Sequence, residues 1–322
     1  MAGQLWGTSS LGGFLYSDEL SETMRMELMA NCKFRQLCDA PDFESKGEKA
    51  GDAVHWNVFS KLADQGTTLS ETSEMPQSNF TIRQGTGTVD EWGISVPYTA
   101  RVDLLGKQEV VDVTKKVLAR DAREALDKAA HRQFNRARLR YVATGTATGT
   151  LYANGTATGT NSSAINKTHI NTIVDTMKER NIPPYRGDDY AAIARPTTWR
   201  PLRNELESVN QYTDAGYGKI TAGEIGRYNG MRFIEQTNVQ RGVGANGTAW
   251  GSGLSDWAFF FGADTVAEMI VVPPEIRAKI PTDFGRSHGI AWYALEGFAL
   301  MYDATTDPDG TNSRIIAWDT QA

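Results

Sequence analysis

The chain has 322 residues, 40% of them hydrophobic and 22% charged, with a formal net charge of −6 at pH 7. That balance describes a folded globular protein of one or two domains, not a disordered one. The acidic charge argues against a chain whose main work is gripping phosphates. No apolar run is long enough to cross a bilayer, and no paired basic and apolar stretch marks a secretion signal.

Residues 1–45 read as a tail followed by a helix. Gly3, Gly7, Gly12 and Gly13 make the start flexible. Leu20, Met24, Leu28 and Met29 then recur at helical spacing between Asp18 and Asp39, with Phe34 and Leu37 beyond. Nothing adjacent in sequence offers this Met-rich stripe a partner, so another subunit is expected to cover it. Cys32 and Cys38 fall on opposite sides of such a helix and should remain unbridged.

Residues 46–100 form a long two-stranded arm rich in Gly, Thr, Ser and Glu, with too little apolar content to fold alone. Outbound, Val54, Trp56 and Val58 share one face. Inbound, Trp92, Ile94, Val96 and Tyr98 share another, and this period of two marks half-buried strands. Pro97 cannot donate to a ladder, which places its strand at an edge or ends it there. Between the runs, Ser60 to Gly87 carries Glu71, Glu74 and Pro76. A hairpin of this kind is marginal in water by itself. It is either a mobile surface loop or an arm lying on a neighbouring subunit, with Trp56, Glu71, Glu74 and Trp92 as contact residues.

From Leu104 to Val142 the pattern predicts one helix, with Asp103 as cap and Gly106 in its first turns. At about 39 residues it would be roughly 58 Å long. Its apolar positions (Val111, Leu118, Ala122, Leu126, Ala130, Phe134, Ala137, Tyr141) advance mostly in steps of four. The stripe therefore winds around the helix and must meet different partners along its length. Lys128, Arg132, Arg136 and Arg140 make a basic ridge. One reading is charge complementing the helix C-terminus, with Glu124 paired to Lys128; the other is contact with nucleic acid or an acidic segment.

Beyond the helix, ATGTATGT at 143–150 recurs as ANGTATGT at 153–160, a flexible loop or short hairpin. Ile170, Ile173, Val174 and Met177 predict a helix stopped by Pro183-Pro184. Tyr190 to Ala194 is a short buried strand, and Thr197 or Thr198 caps a helix carrying Leu202, Leu206 and Val209. A connection spaced by Gly216, Gly218, Gly223 and Gly226 follows. Asn229-Gly230 is a tight turn with positive φ before the strand Met231 to Ile234. Further strands are expected at 257–261, 269–272, 290–301 (apolar on both faces, hence central or bent) and 314–318.

Chemical motifs are weak. Gly285-Arg286-Ser287-His288-Gly289 matches GxSxG, but a nucleophile elbow needs a strand before and a helix after it, and no histidine follows His288. A hydrolase using Ser287 is the remote alternative. His55, His131, His169 and His288 are scattered without metal spacing. Asp307 to Asn312 reads as a solvent turn and not a calcium loop. No catalytic, cofactor or metal residue is assigned.

The order of these segments resembles the major capsid proteins of tailed double-stranded DNA bacteriophages, the HK-ninety-seven-type fold. Gly223-Glu224-Ile225-Gly226-Arg227-Tyr228-Asn229-Gly230-Met231-Arg232-Phe233-Ile234-Glu235 is similar to a segment of the branch typified by phage N-four, and Gly51-Asp52-Ala53-Val54 resembles the outbound strand of that family's extended loop. The resemblance implies an α+β fold: an N-arm at 1–45, an extended β-hairpin E-loop at 46–100 and a P-domain spine helix at 101–142. An α/β A-domain would span 165–272, and P-domain return strands 273–322. The Gly/Thr-rich insertion at 143–164 departs from the pattern. It further implies a non-enzymatic coat protein without cofactors, found in the virion after assembly in the bacterial host cytoplasm. Its partners would be copies of itself in pentamers and hexamers, scaffolding and portal proteins, a decoration protein in some members, and packaged DNA bound without sequence specificity. No membrane is involved.

Overall fold

A computed structural model describes residues 28–29, 32–38, 53–62, 66–69, 71–72, 74–105, 109–155, 161, 163–210, 226–239 and 256–320. The glycine-rich start, Gly216, Gly218 and Gly223, and the last residues of the second ATGT copy lie outside these.

In chain order the elements are β1 (Ala53–Phe59), β2 (Ile82–Thr88), β3 (Asp90–Thr99), α1 (Ala100–Leu105), α2 (Val110–Phe134), β4 (Leu139–Ala143), β5 (Gly149–Tyr152), α3 (Lys167–Glu179), β6 (Tyr190–Ala194), α4 (Pro196–Asn210), β7 (Arg227–Tyr228), β8 (Met231–Glu235), β9 (Asp256–Phe261), β10 (Val266–Ala278), β11 (Ser287–Leu300) and β12 (Ile315–Thr320). The fold is α+β, as expected.

Seven strands form the main sheet, in the order β5-β4-β12-β9-β6-β8-β7. Its strands are short apolar runs, which is what a sheet covered on both faces requires. The pleat sends alternate residues to opposite sides. Tyr190, Ala192, Ala194, Ala258, Phe260, Ile316 and Trp318 meet Ile170, Ile173, Val174 and Met177 of α3 and Trp199 and Leu202 of α4. Ala191, Ile193, Trp257, Phe259, Phe261, Ile315 and Ala317 meet Leu126, Ala130 and Phe134 of α2. Three consecutive phenylalanines, Phe259 to Phe261, are thus fully buried in two different cores. Each such side chain contributes about 1.5–3 kcal/mol of transfer free energy.

The three-stranded sheet β10-β11-β3 packs on the first half of α2, where Leu118 and Ala122 meet Ile290, Trp292 and Ala294. The indole of Trp292 donates to Asp121 Oδ2 at 2.8 Å. One helix thereby serves both sheets, and its winding stripe is the sequence cause. β3 is an edge of its sheet, in keeping with Pro97, and β11 is central.

Several expectations are corrected. The helix begins at Val110 and ends at Phe134; Leu139 to Ala143 is instead a fully buried strand, parallel to β12 and antiparallel to β5. Two open strand edges outweigh continued helical bonding there. β5 makes the ATGT region partly a hairpin. Its Gly149 is required because a methyl group at that position would overlap the Tyr141 ring. The predicted helix over 18–39 does not extend across 32–38, where only the turn Arg35–Leu37 is helical, of 3-10 type. Neither cysteine forms a disulfide among the described residues.

The partner of β1 also differs from expectation. β1 pairs with β2, in register from Ala53↔Thr88 to Phe59↔Ile82, while the 92–98 run pairs with β11. Trp92, Val96 and Tyr98 are drawn to the α2 core, which leaves the glycine-rich 82–88 run to complete the hairpin.

Other expectations hold. α3 is capped by Asn166, whose Oδ1 accepts the His169 N–H at 3.0 Å. Asn229 and Gly230 have φ of 47° and 74° in the turn between β7 and β8. Ser287 opens β11 after a turn, so the GxSxG string lacks the elbow context. Its Oγ accepts from Lys279 Nζ at 3.3 Å, and His288 stacks on Tyr98.

Candidate interaction surface

The β1–β2 hairpin is rooted on the body by one face of β1. Val54 and Trp56 pack with Ala267, Met269 and Ala299, and the Trp56 indole donates to the Met301 carbonyl at 3.0 Å. Glycines make the approach possible. A methyl group at Gly85 would overlap the Trp56 ring, and one at Gly297 would overlap the Thr88 carbonyl. At the far end Ser60 N–H donates to Thr81 O at 2.9 Å, and Thr81 N–H to Ser60 Oγ at 2.8 Å.

Past the root the hairpin leaves the body. A cleft of about 1120 Å³ separates its outbound strand, His55 to Lys61, from the loops at 180–183 and 301–314. On the arm, Phe59, Leu62, Leu69, Met75, Phe80 and Ile82 are all more than half exposed. Phe59 and Phe80 tilt against each other at 6.2 Å, so they form a patch and are not scattered singly. Apolar clusters of this kind on a monomer mark binding surfaces.

A second apolar projection sits at the β10–β11 turn. Ile280 is 84% exposed and Phe284 wholly so. Asp283, Phe284 and Gly285 follow one another with φ of 56°, 51° and 85°. A left-handed phenylalanine in open solvent costs about 1–2 kcal/mol, and nothing among the described residues covers it. Sequence reasoning missed this knob; an aromatic between Asp and Gly in a turn was the available signal.

The predicted contact residues divide into two groups. Glu71 and Glu74 are exposed on the arm. Trp56 and Trp92 are half-buried and committed to their own chain, Trp92 by an indole bond to the Glu296 carbonyl at 3.0 Å. The basic ridge is broken up. Lys128 pairs with Glu124 at 2.7 Å. Arg132 is exposed near the end of α2, and Arg136, past its end, donates to Gln133 Oε1 at 3.2 Å. Arg140 is a correction: it lies on β4, only 3% exposed, and donates to the carbonyls of Gly155 and Asn135 while stacking over Trp257 at 5.0 Å. The four-residue spacing fails as a ridge because the helix stops before Arg136.

Comparison with known proteins gives a consistent result. The family described as "Phage capsid protein" matches residues 76–311. No curated protein matches the chain. Among solved structures, the capsid of Ralstonia phage GP4 is similar over 98% of this chain and 97% of that one, at 15% identity and a TM-score of 0.67. The capsid of cyanophage P-SCSP1u covers 98% and 96%, at 11% identity and 0.68. The head structure of Helicobacter pylori bacteriophage KHP40 covers 94% and 95%, at 14% identity and 0.67.

Proposed function

The chain belongs to the phage capsid protein family and is a structural, non-enzymatic capsid protein of a bacteriophage virion, and from that premise we propose how its copies join. The β1–β2 hairpin is the E-loop and lies across a neighbouring subunit, covering Phe59, Leu69, Met75, Phe80 and Ile82. Glu71 and Glu74 make polar contacts at the rim of that interface. Trp56 and Trp92 act from within, Trp56 holding the arm at its root angle and Trp92 fixing β3. The apolar turn at Ile280 and Phe284 is a second contact. α2 is the spine helix of the P-domain; the seven-stranded sheet with α3 and α4 is the A-domain, which thereby takes in β4, β5 and β12 from outside the expected 165–272.

Head-to-tail contacts that close around an axis make rings, and rings sharing edges make a shell. The subunit would form pentamers and hexamers of an icosahedral head around double-stranded DNA. Assembly takes place in the host cytoplasm with scaffolding and portal proteins, and a decoration protein is a further partner. Lys128, Arg132 and Arg136 are the candidate contacts to packaged DNA; Arg140 is not, being buried.

The observation that carries this reading is the apolar surface exposed on the arm, beside a body with buried cores of its own. The test is negative-stain imaging of the concentrated protein. Closed particles from the full chain, lost on replacing Phe59, Phe80 and Ile82 together by serine, are expected. Particles that form normally from the triple variant would remove the arm from the mechanism.

A further inference from the structure

Residues 32–38 are fastened to the body by contacts that the assembly reading does not use. Phe34 is completely buried, its ring centroid 4.6 Å from that of His131, 5.4 Å from Phe134 and 5.8 Å from Phe259. Backbone groups on either side are held as well. Lys33 N–H donates to Gln236 Oε1 at 2.8 Å, and Arg35 N–H to Asp127 Oδ1 at 3.2 Å. Asp127, buried on α2, also accepts from Gln236 Nε2 at 2.6 Å and Asn238 Nδ2 at 2.8 Å.

Beside this plug the Arg35 guanidinium bridges two strands. Its Nε meets Glu268 Oε1 on β10 at 2.5 Å, and its Nη2 meets Glu296 Oε1 on β11 at 3.0 Å. Glu296 is wholly buried, and its Oε2 finds no hydrogen-bond partner among the described residues. Asp90 is its register partner on β3. Burial pushes the Glu296 carboxyl up to about 7, Arg35 pulls it down, and the Glu268 charge raises it again.

We propose that residues 32–38 are a pH-gated clasp: the Arg35–Glu268–Glu296 triad locks this segment onto the body while Glu296 is ionised and loosens it when Glu296 takes up a proton. The direction follows from linkage. With β10, β11 and β3 still in place around it, Glu296 keeps its burial and the Glu268 charge when the Arg35 cation leaves, so undocking makes the carboxyl harder to ionise. Docking therefore releases a proton, and it weakens as the pH falls to about 7 from above. Below that, Arg35 still faces Glu268 and Phe34 keeps its site, so the segment loosens without leaving. Each pKa unit by which Arg35 lowers Glu296 corresponds to about tenfold in the docking equilibrium. The clasp acts within one subunit and does not rest on the shell reading.

Hydrogen exchange of the 32–38 amides in the purified full chain tests it, with rates corrected for intrinsic pH dependence. Wild-type protection should fall several-fold between about pH 8.5 and 6. The slope should vanish in Glu296→Gln. In Glu268→Gln it should persist with its midpoint moved to lower pH, because a charge opposing ionisation is gone. Asp127, which burial also raises and which accepts the Arg35 N–H, is unchanged in every variant, so a slope lost in Glu296→Gln belongs to Glu296. Should that variant not fold, Arg35→Met gives the second readout: low protection at the alkaline end and a flat profile. A flat wild-type profile, or an unchanged slope in Glu296→Gln or Arg35→Met, overturns the proposal.

Discussion

The indole of Trp56 lies against Gly85, its cross-strand partner in the β1–β2 register, in space that no side chain larger than hydrogen would leave open. That contact and the indole bond to Met301 set the angle at which the arm leaves the body. Gly85→Val should displace the ring, with an overpacking cost of about 1–3 kcal/mol. Thermal unfolding should show a modest loss, while particle yield falls far more. Equal, small effects on both would separate the arm's angle from assembly.

Removing residues 64–76 tests the arm's outer part alone. The hairpin is already closed by Ser60 and Thr81, which flank the deletion, so the shortened chain should unfold at an unchanged temperature. It should fail to form particles in sedimentation, and normal particles would contradict the interlocking role.

Arg140 and Arg132 should behave oppositely although both were read from one spacing. Arg140→Ala leaves the Gly155 and Asn135 carbonyls unsatisfied, at a cost of about 2–5 kcal/mol in denaturant unfolding. Arg132→Ala should stay within about 0.5 kcal/mol. Charge reversal at Arg132 should lower only salt-sensitive DNA retention by shells.

Phe284 offers a trade. Asn adopts positive φ more readily than Phe, so Phe284→Asn should hold or raise subunit stability by up to about 1 kcal/mol while reducing assembly. Lower stability with assembly intact would refute the contact.

His131 gives a pH test. Burial, then Arg132 and Arg195, push its imidazole down to about 3 from 6.5, so the unfolded chain binds the extra proton between those values. Its neutral burial therefore favours folding above about pH 6.5 and disfavours it as the pH falls. The loss is about 2 kcal/mol by pH 5. Glu296, raised to about 7, works in the opposite sense, since the folded state holds its proton. The wild-type minus His131→Leu difference in unfolding free energy at pH 7 and pH 5 isolates the histidine. A pH-independent difference would mean that it is not buried neutral.

How far the sequence disclosed this molecule depends on how local each signal was. The α3 stripe, the Asn229-Gly230 turn and the edge position implied by Pro97 are written in neighbouring residues, and they were legible. The winding stripe of α2 correctly required two partners. The end of that helix was not legible, because Leu139 to Ala143 becomes a strand only when β12, far along the chain, lies beside it. For the same reason 82–88 looked like loop: its glycines signal a strand only once Trp56 and Met269 occupy the space above them. Glu71 and Glu74 stand exposed on the arm, as its composition suggested. The apolar turn at Phe284 was hidden inside an ordinary turn motif.

β12 sits between β4, to which it is parallel, and β9, to which it is antiparallel, although every other strand of that sheet precedes it in the chain. A ribosome must pass residue 320 before these two halves can be zipped together. Nascent or prematurely terminated chains would present raw edges on both sides of the gap. A chain cut short before β12 would lack the strand that joins them, and its sheet would stay in two pieces.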